Sequence, residues 1–165
     1  MPITLDVRDL LGSIGATRDV PVRERVSGLA TELASVPEDR DVVGLLRLES
    51  LVEGLFASGA LESSMQLVCA RCLTTMTNPF TVEVHELFAP DATAEDDAYP
   101  VCDGAVDLEP LVRDLVLLAM PFAPLCRPGC LGLCERCGGD RNLNECTCTL
   151  EPDPRWAALV DVRTD

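Results

Sequence analysis

The stretch from Cys126 to Cys148, with the sequence CRPGCLGLCERCGGDRNLNECTC, holds six of the nine cysteines in the 165-residue chain. Turn-forming residues separate these cysteines, so the chain can fold back on itself and bring several sulfurs together. Sulfurs gathered in this way are typical of structural metal sites. A second pair, Cys69 and Cys72, lies far upstream in the segment VCARCL. The fold therefore depends on whether these separate groups of cysteines meet at a metal.

The metal that fits such a set best is zinc. The opening MPITLDVRDLL carries Asp6 and Asp9 where a signal peptide needs an apolar core, and the chain has no run of 18 apolar residues. We therefore expect a cytoplasmic protein without a membrane span, in a compartment where thiols stay reduced. The odd number of cysteines also argues against complete disulfide pairing. An iron–sulfur cluster and disulfides are the alternatives to zinc.

Cysteine spacing predicts two metal sites, because a structural zinc takes four ligands and eight cysteines remain once the isolated Cys102 is set aside. One predicted site is local and consists of Cys134, Cys137, Cys146 and Cys148. The other joins two distant pairs and consists of Cys69, Cys72, Cys126 and Cys130. This second arrangement closes a loop of more than 50 residues and stabilises the fold by restricting the unfolded chain. A rival partition places one metal on Cys126, Cys130, Cys134 and Cys137.

Hydrophobic periodicity predicts a sheet and one helix. Apolar and polar residues alternate over 61–67 and 80–84, and a β-rich run begins at Val42, which together predict a three-stranded antiparallel meander. Gly54 lies near its first turn, and CARC forms the second. A helix is predicted over 107–119, capped by Asp107, with an apolar face that we expect to cover the sheet.

These elements predict an α+β fold: an antiparallel β-sheet with one covering helix and a C-terminal cysteine-rich zinc module. Residues 1–122 form the β-rich domain, and residues 123–165 form the zinc module packed on it. We also predict short strands within 1–40, a loop over 90–105 and a short final helix after Cys148. The single histidine, His85, is predicted to be an exposed strand residue.

The charge and the missing motifs limit the functions that fit. The net charge is −15, from 28 acidic and 13 basic residues, which disfavours a broad nucleic-acid face and suits a basic protein partner. The sequence contains no phosphate loop, nucleophile elbow or HExxH motif. Sites closed by four thiolates leave no open position on the metal, so we expect no enzyme and no small-molecule substrate.

The cysteine motifs resemble those of the YceD-like family, the large ribosomal RNA subunit accumulation proteins. The match is carried by VCARCL at 68–73, MPFAPLC at 120–126, GLCERCGGDRNLNECTC at 132–148 and the following DPRWAAL. The family segments fall on Cys69, Arg71, Cys72, Leu73, Gly132, Leu133, Cys134, Cys137, Gly138, Leu143, Asn144, Cys146 and Cys148. This chain has one residue more in GGDRNLN than the family pattern. The resemblance implies a role in large-subunit rRNA accumulation.

Together these observations predict a non-enzymatic factor for large ribosomal subunit assembly. It would be a scaffold, stabilised by two zinc ions, that binds a basic ribosomal protein or an assembly intermediate. Candidate contacts with that partner or with rRNA are Arg71, Arg136, Arg141 and Trp156. The alternatives are a thiol-based redox or metal-responsive regulator and a zinc module that binds rRNA directly.

Overall fold

The computed structural model describes residues 3–90, 92–93, 96–148 and 155. These residues form eight strands and one helix. The strands are β1 (Thr4–Asp6), β2 (Thr17–Glu24), β3 (Ala34–Ser35), β4 (Val42–Ser50), β5 (Leu55–Val68), β6 (Thr75–Ala89), β7 (Tyr99–Cys102) and β8 (Ala105–Asp107), and the helix is α1 (Leu108–Ala119). Within this part of the chain no helix has the length and apolar character needed to cross a membrane.

All eight strands belong to one mixed sheet. Its order is β1-β8-β7-β6-β5-β4-β2, and β3 pairs with the end of β5 that precedes Cys69. The predicted meander is present as β4, β5 and β6, which pair antiparallel in succession. However, β7 runs parallel to β6, through Phe88 opposite Tyr99. The sheet as a whole is therefore not antiparallel.

The predicted fold class, an α+β antiparallel sheet covered by one helix, is wrong. The regular secondary structure of the described chain is mostly strand, and α1 has only 12 residues, so it is about 18 Å long. Strands β5 and β6 have 14 and 15 residues and extend to roughly 50 Å. A single short helix cannot cover such strands. Helix α1 instead packs beside β1 and β6, where it buries Leu108, Leu111, Val112 and Val116.

The sheet covers its core by curling. A single hydrophobic cluster includes side chains from the N-terminal segment, the strands and α1, among them Val7, Leu46, Phe88 and Leu111. Two glycines let β4 and β5 approach closely. A Cβ on Gly44 would lie 2.2 Å from the carbonyl oxygen of Ala60, and one on Gly59 would lie 2.3 Å from that of Leu45. Glycine at such places in a strand permits a sharp bend, which the helix-covered prediction did not include.

Other local predictions have mixed outcomes. The helix prediction is confirmed, with Asp107 accepting a hydrogen bond from the Glu109 N–H at 3.0 Å. Short strands within 1–40 are also confirmed, and Pro21 lies in β2 at the edge of the sheet, where proline is tolerated. The loop prediction over 90–105 is wrong in part, since β7 lies there. His85 is exposed on β6, as predicted.

The predicted final helix falls on 149–165, where residue 155 alone is described. Trp156 therefore lies outside the described residues.

Candidate metal centres

The first CxxC motif forms the turn between β5 and β6. The Cys69 N–H donates to the Thr74 carbonyl at 3.0 Å, and the Leu73 N–H donates to the Cys69 carbonyl at 2.9 Å. Leu73 has a φ of 60°, in the left-handed region that non-glycine residues seldom occupy. This turn, Cys69–Thr74, presents two cysteines to the same side of the chain, and we call it the first knuckle.

The second CxxC motif repeats the same turn. The Cys134 N–H donates to the Gly139 carbonyl at 2.8 Å, and the Gly138 N–H donates to the Cys134 carbonyl at 2.8 Å. Gly138, at the position equivalent to Leu73, has a φ of 70°. We call Cys134–Gly139 the second knuckle. Knuckles of this kind are the usual ligand pairs of structural zinc sites.

The structure brings the first knuckle together with a distant cysteine pair. This first cluster consists of Cys69, Cys72, Cys126 and Cys130, with sulfurs that all lie within 4.8 Å of one another. The Sγ atoms of Cys69 and Cys130 are 3.8 Å apart, and those of Cys72 and Cys126 are 3.6 Å apart. Thiolates on a tetrahedral zinc are about 3.8 Å apart, so the donor set and its dimensions fit zinc.

The first cluster is largely buried. Cys69 is 0% exposed, Cys130 1% and Cys72 8%, while Cys126 is exposed. The buried sulfurs pack against Met76, Leu125 and Leu133. This cluster is therefore continuous with the packed interior at the end of the β5–β6 hairpin.

Backbone hydrogen bonds join the two halves of the first cluster. The Ala70 N–H donates to the Pro124 carbonyl at 2.8 Å, and the Leu133 N–H donates to the Arg71 carbonyl at 3.0 Å. The Arg71 guanidinium also donates to the Cys130 carbonyl at 2.9 Å. These bonds hold the segment after α1 against the first knuckle. The Arg71 side chain, which the sequence predicts to contact a partner, makes one of these bonds within the chain.

The second cluster is local and lies near the surface. It consists of Cys134, Cys137, Cys146 and Cys148, again with sulfurs within 4.8 Å of one another. The Cys134 and Cys146 Sγ atoms are 3.3 Å apart, and those of Cys137 and Cys146 are 3.6 Å apart. Cys134 is buried, but Cys137 and Cys148 are exposed. The set has the composition of a zinc site, and much of it faces solvent.

Backbone N–H groups lower the pKa of the first thiol of each knuckle. The N–H groups of Cys72 and then of Cys126 lower the pKa of the Cys69 thiol to about 6. In the second knuckle the N–H groups of Cys137 and then of Arg136 lower the pKa of the Cys134 thiol to about 6. The first cysteine of each knuckle is thus prepared as a thiolate, the form that binds a metal.

Asn142 links the two clusters and was not identified from the sequence. Its Oδ1 accepts from the Leu131 N–H at 2.9 Å and from Arg127 at 2.7 Å. Its Nδ2 lies 3.5 Å from the Cys130 Sγ, as a donor to that sulfur. An Asp-Arg-Asn sequence predicts a turn, but nothing local indicates that the amide reaches a sulfur of another cluster.

The remaining candidate residues lie outside the two clusters. Cys102 is exposed in β7, apart from both groups of sulfurs. His85 belongs to neither group, and its ring stacks on Phe56 with 6.3 Å between ring centroids. Arg136 and Arg141 are exposed next to the second cluster, and Arg141 lines a small cavity there with Cys134, Cys146 and Cys148. That these arginines contact a partner stays a prediction.

Comparison with known proteins gives a family match and a relative that aligns with nearly the whole chain. A family model described as large ribosomal RNA subunit accumulation protein YceD matches residues 57–163. An uncharacterized protein of Mycobacterium tuberculosis is 34% identical over 168 residues, covering 98% of this chain and 81% of that protein.

Two further relatives come from a plant and from another bacterium. The large ribosomal RNA subunit accumulation protein YCED homolog 1, chloroplastic, of Zea mays is 35% identical over 51 residues, which are 30% of this chain and 17% of that protein. The uncharacterized protein YlbN of Bacillus subtilis is 32% identical over 69 residues, which are 40% of each chain. No solved structure matches.

Proposed function

Since the chain belongs to the YceD family of large ribosomal RNA subunit accumulation proteins, we propose that it is a non-enzymatic factor for large ribosomal subunit assembly. The observation that carries this proposal is the family match over residues 57–163, which includes all eight clustered cysteines. The Zea mays relative is named for large ribosomal RNA subunit accumulation. Loss of this protein would then lower the amount of large-subunit rRNA.

The two cysteine clusters would each hold one zinc ion with a structural role. Four sulfurs per site, with neighbouring pairs 3.3–3.8 Å apart, suit a closed tetrahedral site. Such a site leaves no coordination position for a substrate, which supports a scaffold and not a catalyst. Backbone N–H groups directed at Cys69 and Cys134 would orient the thiolates from outside the coordination shell.

The charge distribution supports a basic protein as partner. Residues 1–122 contain 21 acidic and 8 basic residues, whereas residues 123–148 contain three of each. Most arginines of the first segment already pair with carboxylates, as Arg23 and Arg25 do with Asp41 and Arg47 does with Asp19. The strand-rich part of the protein is therefore the acidic part, and it would attract a basic ribosomal protein or assembly factor.

The same division supports the two modules predicted from the sequence. Residues 1–122 would form the β-rich domain, and residues 123–165 a cysteine-rich zinc module packed on it. The hydrogen bonds from Ala70 to Pro124 and from Leu133 to Arg71 are the contacts that support this packing.

Three measurements test the proposal. Sucrose-gradient sedimentation of extracts from growing cells is expected to place the tagged full chain with large-subunit precursors, and its depletion is expected to lower large-subunit rRNA relative to small-subunit rRNA. A chain found only at the top of the gradient, with unchanged rRNA ratios on depletion, would contradict the assembly role. Elemental analysis is expected to give two zinc ions per chain, also in the control Cys102→Ala.

A metal-responsive regulator is the second candidate, because one observation favours it. Cys137 and Cys148 of the second cluster are exposed, so an oxidant or a chelator can reach them. If this candidate is right, a zinc ion in the second cluster exchanges at physiological chelator concentrations, and sedimentation with precursors changes when that zinc is lost. Direct rRNA binding through Arg71, Arg136 and Arg141 would instead give binding to rRNA fragments that weakens steeply with salt.

A further inference from the structure

An apolar groove lies between the end of α1 and the segment that precedes β3. It has a volume of about 330 Å³. Apolar side chains form most of its lining: Leu33, Leu117, Leu118, Met120, Pro121 and Phe122. Neither cysteine cluster contributes to it, and the proposed zinc sites do not explain it.

Two of these side chains are unusually open to solvent. Phe122 is 101% exposed and Leu118 is 83% exposed, whereas Met120 between them is 5% exposed. Pro121 cannot continue the helix, so the chain turns after Ala119 and leaves Phe122 extended from the surface. Single exposed apolar residues are ordinary, but two of them beside a concave apolar groove are typical of a binding surface.

The groove is tied to the first knuckle from both sides. The Val68 N–H, at the end of β5, donates to the Leu33 carbonyl at 2.8 Å. The Ala70 N–H donates to the Pro124 carbonyl at 2.8 Å, two residues after Phe122. The walls of the groove are thus fixed by backbone bonds to the residues on either side of Cys69.

The charge on the lining of the groove is negative. Glu32 is the one charged residue among those that line it. Helix α1 ends at the groove with no basic residue in its last turn, so the partial negative charge of its C-terminus is not offset there. The chain as a whole carries −15, which opposes the approach of a second copy.

We propose that this groove binds a basic polypeptide segment that inserts one apolar side chain between Leu118 and Phe122. Lysine or arginine residues beside that anchor would lie near Glu32 and the C-terminal end of α1. The inference rests on the proposed function, in which the partner is a basic protein, and it adds the surface and the kind of segment that this partner presents.

Fluorescence anisotropy with defined peptides tests the groove. The probe is a labelled peptide of about 15 residues with about six lysines around one phenylalanine, an aromatic anchor of the kind that dominates interfaces. Wild-type full chain is expected to bind it, and the double variant Leu118→Ser with Phe122→Ser is expected to bind about tenfold more weakly. We expect the wild type to bind two altered peptides as weakly as the double variant binds the original one. One has serine in place of phenylalanine, and the other has glutamate in place of lysine.

A matched control changes apolar exposure elsewhere. Leu45 and Val52 are 56% and 84% exposed on β4 and in the turn after it, away from the groove. The double variant Leu45→Ser with Val52→Ser is expected to bind the peptide as the wild type does. Equal affinity of all three proteins, no binding by the wild type, or equal affinity for the peptide without phenylalanine would overturn the inference.

Photo-crosslinking identifies the occupant in the cell. With p-benzoylphenylalanine in place of Phe122, the expected product is a crosslink to a lysine- or arginine-rich segment of a ribosomal protein or assembly factor. Crosslinks to rRNA, to a second copy, or to residues 149–165 of the same chain would each overturn it. If the groove variant still sediments with large-subunit precursors as the wild type does, the groove inference fails and the assembly role stands. If the wild type does not sediment with them, the assembly role fails.

Discussion

The first and second knuckles have the same pair of backbone hydrogen bonds and lie in different surroundings. In each knuckle, the backbone N–H of the first cysteine donates to the carbonyl of the residue five positions later. The carbonyl of that cysteine accepts from the N–H of the residue four positions later. The first knuckle ends a 14-residue strand, and its cluster includes three buried cysteines. The second knuckle belongs to a surface segment, and its cluster includes one buried cysteine.

This difference shows that the turn and its burial have separate causes. Both CxxC motifs form the turn with a positive φ at the residue that follows the second cysteine, which is leucine in one and glycine in the other. Whether the sulfurs become part of the interior depends on what packs around them. Met76 comes from β6, whereas Leu125 and Leu133 come from the segment after α1. The first cluster should therefore stabilise the whole fold, and the second should stabilise its own segment.

The largest expected effect distinguishes the clusters by stability. Cys130→Ser removes a buried ligand and is expected to release the zinc ion that joins Cys72 to Cys126, which costs about 4 kcal/mol of unfolding free energy by loop-closure entropy. Cys146→Ser is expected to leave the main unfolding transition nearly unchanged. Urea denaturation followed by far-ultraviolet circular dichroism measures both. Equal losses in the two variants would break the comparison.

Metal release is the next largest effect. On addition of a chelator in excess, one zinc is expected to leave at least about tenfold faster than the other, because exposed sites open by local fluctuation. A chromogenic chelator records the two phases. Cys137→Ser is expected to remove the fast phase, while the control Cys102→Ala keeps both. Release of both zinc ions in one phase would show that the clusters open together.

Asn142→Ala tests the link between the clusters. It removes the acceptor of the Leu131 N–H and the donor to Cys130 Sγ, a loss of about 1–2 kcal/mol. We expect faster zinc release from the second cluster, with little change in the urea transition. Asn144→Ala, two residues away, is the matched control and should behave as the wild type. Unchanged release from Asn142→Ala would mean that this side chain does not couple the clusters.

The smallest effect comes from exchanging the residues with positive φ. Leu73→Gly relieves left-handed backbone strain of about 1–2 kcal/mol. Because glycine also adds conformational freedom to the unfolded chain, we expect a net increase in the free energy of unfolding of about 0.5 kcal/mol. Gly138→Ala meets no atom within 4 Å, so its cost of about 1 kcal/mol reflects backbone conformation alone. Differential scanning calorimetry measures the stability of Leu73→Gly, and a zinc-affinity titration measures the effect of Gly138→Ala. Loss of stability in Leu73→Gly would reveal a packing role for this leucine, which is 59% exposed.

Local patterns predicted local structure well. The alternation around Leu61 and Val82 located β5 and β6, and Asp107 marked the start of α1. The fold class was wrong because it required a decision about what covers the sheet. The glycines at 44 and 59 carry the signal for the bend, yet a glycine in a strand-like sequence indicates a bulge, a bend or a close contact equally well.

The grouping of the cysteines shows the same limit. Spacing proposed the two sets of four sulfurs that the structure brings together, while leaving the rival set of Cys126, Cys130, Cys134 and Cys137 open. Spacing cannot report that Asn142 reaches Cys130, or that Phe122 stands in solvent beside a groove. Both depend on contacts between residues that are well separated in the sequence.

By itself, the sequence determined the β4–β6 meander, helix α1, the CxxC pairs, the acidic character and the family. These follow from interactions among residues a few positions apart or from composition. Only the tertiary structure decided that the sheet curls, that β7 runs parallel to β6, and that one cluster is buried and the other exposed. The physical reason is that burial and register depend on contacts between distant segments, such as Arg71 with Cys130, which no local pattern specifies.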